Sequence, residues 1–154
     1  MKRYQLTGIS LFLCVIALFG CVGTKNIKTM KTIINTNLAP APIGPYSQAV
    51  LSGNTLYVSG VIALDPSTGN MIQDNIESET NQVMKNMGEV LKAAGMGYEN
   101  IVKTTIFLTD LGQFAQVNGV YGSYFKADFP ARETVQVSAL PKGAHVEISV
   151  IAVK

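Results

Sequence analysis

From Ile33 onward, apolar and polar positions fall into short alternating runs interrupted by two stretches of helical period. The alternating runs are a short strand near 31–35, "QAVLSG" (48–53), "TLYVSGVIA" (55–63), "NIVKTTIFLTD" (100–110) and the two halves of "FPARETVQVSALPKGAHVEISVIAVK" (129–154). Such period-two runs predict strands with one buried face. The second and third strands join through "SGN" in hairpin fashion. "LAPAPIGPYS" (38–47) carries three prolines, which exclude regular ladder pairing, and "DPSTGN" (65–70) reads as a turn. Over 76–94, Ile76, Val83, Met84, Met87, Leu91 and Ala94 share one helical stripe, and Gly95 closes the helix. At this spacing the methionines are core filler rather than an adaptable binding surface. A second helix through 111–127 draws its stripe from Leu111, Phe114, Val117, Tyr121 and Phe125. The predicted order is β-β-β-α-β-α-β-β, an α+β domain whose two helices cover one face of a six-stranded sheet.

The last two strands carry the most pointed feature. Val135, Val137 and Ala139 alternate with Thr134, Gln136 and Ser138, and Arg132 falls on the polar side. Beyond "LPKG", Val146, Ile148, Val150 and Ala152 form an apolar row opposite His145, Glu147 and Ser149. If these strands pair as a hairpin, Arg132 and Glu147 share one non-core surface. The plain reading is a solvated sheet face, since exposed ion pairs contribute under about 1 kcal/mol. That hairpin sets Gln136 opposite Glu147 and leaves Arg132 four residues further on, about 13 Å at strand rise. The sheet face away from the helices holds either Tyr57, Ser59 and Val61 or Val58, Gly60 and Ile62, with Ile151 and Val153 beside Glu147. Such a face is too apolar for water, and self-association in a closed ring is the economical expectation.

Charge and cysteine divide the chain at the same place. Of the 154 residues, those from Met30 onward hold seven Lys and one Arg against ten acids, a formal charge of −2, although the whole chain carries +2. A nucleic-acid footprint needs clustered Lys and Arg, so no nucleic-acid partner is expected. Cys14 and Cys21 both precede Met30, which leaves the later part without a disulfide, thiolate metal site or cysteine nucleophile. His145 is the single histidine and has no Asp or Glu spacing that would complete a metal site.

Lys2 and Arg3 precede "ISLFLCVIALF" (9–19), an apolar run of signal-peptide length that is short for a bilayer span. Its end, "LFGC" (18–21), resembles the lipobox of bacterial lipoproteins, with bulky Phe19 as a departure. The resemblance implies lipidation of Cys21 and membrane attachment through it. The division expected is a signal and tether over 1–29 and a domain over 30–154. It makes a membrane-anchored periplasmic lipoprotein if the first 21 residues act as a signal, and a cytoplasmic protein if translation starts at Met30. A buried or disordered N-terminal extension is the remaining alternative.

Four fragments in order, "IGPYSQAV" (43–50), "LYVSGVIALDPSTG" (56–69), "VKTTIFLTDLGQFAQVNGVYGSYF" (102–125) and "FPARETVQVSALPKGAHVEISVIAV" (129–153), resemble the reactive intermediate deaminase family, RidA, also called YjgF. The resemblance spans essentially all of 30–154. It implies a chorismate-mutase-like fold with a mixed six-stranded sheet, a homotrimer with clefts between subunits, and no metal or organic cofactor. The implied reaction is hydrolysis of enamines and imines, such as 2-aminoacrylate and 2-iminobutanoate, to 2-keto acids and ammonia. Carried over by position, Arg132 of "PAR" binds the substrate carboxylate, for which a guanidinium fork is suited. Glu147 orients or deprotonates the attacking water. Tyr46, Ser59, Gly60, Asn118 and Thr134 match other cleft positions, and Gly60 lets backbone approach a ligand closely. Thr134 stands where many members have cysteine, and "SGVIA" replaces the frequent "SGQIP", so Val61 and Ala63 alter the cleft wall or subunit contact. Glu133 would compete with an anionic substrate if it turned towards Arg132; alternation points it away. A non-catalytic trimer that binds small carboxylates or another protein is the alternative reading. A ribonuclease-like or translation-inhibiting role, reported for some relatives, fits poorly with the −2 charge.

Overall fold

The computed structural model describes residues 31–154. The signal, lipobox and tether expected over 1–29 lie outside the described residues. Six strands form one sheet: β1 Lys31–Ile34, β2 Ala49–Ser52, β3 Thr55–Val61, β4 Ile101–Leu108, β5 Ala131–Gln136 and β6 Val146–Val153. Helix α1 spans Ile76–Ala93 and α2 spans Phe114–Ser123. The spatial order is β1-β2-β3-β6-β4-β5, antiparallel throughout except for the parallel pair β4–β5.

Both helices lie on one face and share a single core with alternate residues of the strands, including Leu56, Val58, Ile106, Leu108, Ile148 and Val150. The α1 stripe is buried as its period requires, with Met84 and Met87 inside. Asn75 caps α1 in a capping box with Ser78, and Gly95 ends it at φ +69°, a left-handed conformation that favours glycine. Helix α2 is shorter than its pattern predicts. A single 3-10 turn, Leu111–Gln113, precedes it, and Leu111 and Phe114 are exposed while Val117 and Tyr121 are buried. Phe125 lies past the helix end but still packs on the core.

The final hairpin does not form. Strand β6 inserts between β3 and β4, and β5 runs parallel to β4 at the sheet edge. Phe107, not Gln136, is the residue opposite Glu147, and Gln136 pairs with Leu108. This reverses the faces assigned to β5. Arg132 is in register with Thr104 and Thr134 with Ile106, both fully buried on the helix side, whereas Val135 is in register with Phe107 on the other face and is 40% exposed. The alternation of β5 was legible, but an edge strand beside the end of α2 can direct polar side chains towards the helices.

The bare face of the sheet is apolar on its β1–β2–β3 side and polar towards β5, where Lys103, Thr105 and Glu133 lie. It presents Ile33, Tyr57 and Val153 as exposed side chains, with Val50 beside Tyr57 and Ile151 opposite it in the ladder. The first of the two sets expected on this face is the correct one only as far as Ser59. The β3–β6 register shifts between Val58 and Val61, so Val61 pairs with core-facing Ile148 and packs against the core. A bulge of this kind places two residues, Ser59 and Gly60, where a regular strand would place one.

Candidate functional site

The residues singled out in the sequence gather into two clusters rather than one. The first lies where the β3 bulge meets β6. Glu147, Ser59, Gly60 and Tyr46 line a cavity of about 240 Å³ together with Ile43, Ile62 and Pro141. The bulge brings Gly60 beside Glu147 so closely that a Cβ on residue 60 would overlap Glu147 Oε1 and stand 2.6 Å from its Cδ. Close approach is therefore the reason for glycine here, as expected, but what approaches is the glutamate side chain of the next strand. Burial pushes the Glu147 carboxyl above its ordinary range, because leaving water disfavours the charged form. Ser59 Oγ donates to the carbonyl of Ser47 at 2.7 Å, which ties the bulge to the Pro-rich loop.

That loop is held from within by Gln48, which sequence reasoning passed over. Its buried amide accepts from Thr36 N–H at 2.7 Å and donates to the carbonyls of Thr36, Ala39 and Pro40 at 3.0, 3.2 and 2.8 Å. The prolines deny the loop its own ladder, so one side chain satisfies the backbone instead. Tyr46 is thereby set at the cavity edge, with its hydroxyl accepting from Ile43 N–H at 3.1 Å.

The second cluster lies on the helix side of the β5 edge. Arg132, Asn118, Tyr121, Gly122, Phe129 and Pro130 line a cavity of about 390 Å³. The guanidinium carbon of Arg132 stands 5.7 Å from the Phe114 ring centroid and 5.0 Å from that of Tyr121. Two aromatic faces thus fix the cation without using its hydrogen-bond donors. Phe114, expected in the core stripe, serves here as one wall of the arginine site. Among the described residues the ion pairs are Lys103–Glu133 and Glu79–His145, so Arg132 has no carboxylate partner there. Glu133 points away as alternation predicts, bonded to Lys103 and, at 2.5 Å, to Thr105 Oγ1. Thr134 lies on the Arg132 face of β5, and its Oγ1 is buried without a protein partner.

Within one protomer the two clusters do not meet. Arg132 is level with Thr104 and Glu147 with Phe107, three residues apart along β4 and on opposite faces of the sheet. At strand dimensions that is about 10 Å along the strands and about 10 Å across them. The expectation that both share one surface of a chain is overturned, because parallel pairing of β5 with β4 turns Arg132 towards the helices. Of the two departures within "SGVIA", Ala63 is fully buried and Val61 lines the crevice behind the glutamate cluster.

The family model described as "Endoribonuclease L-PSP" matches residues 36–154. The chain belongs to this family. It is the RidA/YjgF family that the four sequence fragments resemble. The human 2-iminobutanoate/2-iminopropanoate deaminase is 50% identical over 125 residues, covering 81% of this chain and 91% of that protein. The chloroplastic Reactive Intermediate Deaminase A of Arabidopsis thaliana is 47% identical over 134 residues, covering 87% and 72%. Among solved structures, the Rid family protein YyfA from Yersinia pestis superposes with a TM-score of 0.79 at 52% identity, covering 81% of this chain and all of that one. TdcF from E. coli with bound serine gives 0.77 at 39% identity, covering 80% and 98%. The mixed sheet and the two helices on one face are thus the fold of RidA/YjgF proteins.

Gly60→Ala tests the close packing at the glutamate cluster. The methyl group displaces only the tip of a flexible side chain, so the expected result is a folded protein with Glu147 turned out of place. If Glu147 handles the attacking water, turnover should fall about 10²-fold, as misplacement by about 1 Å can cost. Measured kcat beside the thermal midpoint checks this.

Proposed function

We propose that the protein hydrolyses 2-imino acids and their enamine tautomers to 2-keto acids and ammonia, in a site built from the arginine cluster of one copy and the glutamate cluster of the next. Arg132 holds the substrate carboxylate through its fork of N–H donors, backed by Phe114 and Tyr121, with Asn118 and Thr134 beside it. Glu147, with Tyr46, Ser59 and Gly60 around it, handles the water. An enamine first takes a proton at C3 to become the imine. Glu147 then accepts a proton from water as the water oxygen bonds to C2. The same proton passes to nitrogen to give a carbinolamine; Glu147 then takes the C2 hydroxyl proton and returns it to nitrogen as the C–N bond breaks, so that ammonia leaves and the C2 carbonyl forms. A carboxyl with a raised pKa suits a group that must both take and return a proton.

The observation that carries this reading is the pairing of a guanidinium without a carboxylate partner among the described residues and a half-buried glutamate in two incomplete pockets. The deaminase names of relatives near 50% identity support it. The apolar side of the bare sheet face supports association, and the homotrimer that the family resemblance implies is a closed ring in which the β5 edge of each copy can meet the glutamate cluster of the next. In the test, the protein is supplied with freshly generated 2-aminoacrylate or 2-iminobutanoate and keto-acid release is followed. Release faster than in buffer is expected, and saturable binding of keto acid without turnover would instead favour a carboxylate-binding trimer.

The N-terminal segment adds location. The reading is that Cys21 of "LFGC" is lipidated and anchors the protein to a membrane. Mass spectrometry of the mature N-terminus should find an acylated Cys21, and an intact Met30 terminus would overturn it.

A further inference from the structure

Glu79 is the one fully buried charged side chain among the described residues, 1% exposed on the apolar stripe of α1 between Ile76 and Val83. A buried carboxylate persists only with partners that offset its desolvation. Its Oε1 accepts from the backbone N–H of His145 at 2.7 Å and of Val146 at 3.4 Å, and its Oε2 lies 2.9 Å from His145 Nδ1. These bonds join the first turn of α1 to the start of β6, 66 residues away.

The place of this clamp is what gives it meaning. The β3–β6 ladder ends at the Val61–Ile148 pair, so on the β3 side the residues just before Ile148 have no strand partner. On the other side β4 does hold them, through the Leu108–Val146 pair and the Thr109 N–H donated to His145 O at 3.0 Å. Glu79 supplies the missing neighbour. Two turns along α1, buried Asn86 does the same for the chain leaving β3, donating to the carbonyls of Ile62 and Leu64 at 3.2 and 2.8 Å. The helix thus grips both strands just past the bulge where Gly60 lies against Glu147.

We propose that Glu79 is a positioning residue for the reaction: by fixing the amides of His145 and Val146 it sets the place of Glu147 over Gly60 without touching substrate. This rests on Glu147 as the water-handling group. The test compares Glu79→Ala, Glu79→Gln and His145→Ala in the full chain, reading kcat and KM with 2-iminobutanoate and amide hydrogen exchange at His145 and Val146. Glu79→Ala should lose protection at both amides and drop kcat roughly 10- to 100-fold with KM within about twofold, because the carboxylate anchor is elsewhere. Glu79→Gln keeps the Oε1 acceptor and should hold kcat within about threefold of the parent. His145→Ala keeps both backbone bonds and should do the same. If Glu79→Ala does not fold, Glu79→Asp, which withdraws the oxygens by one methylene, carries the same expectation. Lost amide protection with parental kcat overturns the inference and leaves the deaminase reading intact. So does a His145→Ala loss as large as that of Glu79→Ala, which would assign the effect to the ring. A parent protein that turns over no imine, with its amides protected, overturns the deaminase reading and the positioning role together.

Discussion

Glu147→Gln should lower kcat by about 10² to 10⁴, the usual worth of a positioned general base. The amide matches the carboxylate in size and can still accept a hydrogen bond from water, but it cannot take the proton. Packing against Gly60 should survive, so the thermal midpoint should change little while turnover collapses. The pH profile of the parent protein carries the same signature. Burial raises the Glu147 carboxyl above the ordinary glutamate value of 4.5. As pH falls, the group therefore takes up a proton earlier than an exposed glutamate would and ceases to act as a base. The acid limb of the kcat profile should accordingly lie above that value, and should vanish from the residual activity of Glu147→Gln.

Arg132→Ala should lower kcat/KM by roughly 10²-fold or more. Hydrogen bonds to charged groups each contribute about 1.5–3 kcal/mol, and a fork makes two. Arg132→Lys should recover only part of the loss, because an ammonium keeps the charge but not the planar fork that stacks between Phe114 and Tyr121. Steady-state kinetics on 2-iminobutanoate against an imine that lacks a carboxylate separates the two contributions. The first substrate should be strongly affected by both substitutions and the second hardly at all.

Much of this was written in local pattern. The α1 stripe, the SGN hairpin, the Pro-rich loop and the alternation of β6 each follow from spacing over a dozen residues, and each is found where the pattern puts it. The candidate site residues were reached through a family likeness, not through periodicity. What stayed hidden depends on pairing between distant strands. Nothing local to "ETVQVSALPKG" says that β5 pairs in parallel with β4 while β6 crosses to lie between β3 and β4. A turn flanked by two alternating runs reads as a hairpin, and that reading, together with the assignment of the β5 valines to the core, put Arg132 on the wrong face. The β3 bulge was equally silent, since Ser59 and Gly60 look like any two strand residues until the register with β6 is known. Two buried polar side chains did leave a trace. Glu79 stands on the apolar stripe of α1, where an acid is out of place unless something receives it. Gln48 opens an apolar strand directly after three prolines whose loop needs a donor and an acceptor.

The separation of Arg132 and Glu147 onto opposite sheet faces makes the central claim testable in one measurement. Arg132→Ala and Glu147→Gln proteins, each nearly inactive, are unfolded together in equal amounts, refolded, and assayed. If every site takes its arginine cluster from one copy and its glutamate cluster from the next, random assembly leaves one site in four with both groups intact. The mixture should then recover about a quarter of the parental activity. A site contained in a single chain would give a mixture no more active than the two variants assayed apart, and that result would contradict the account.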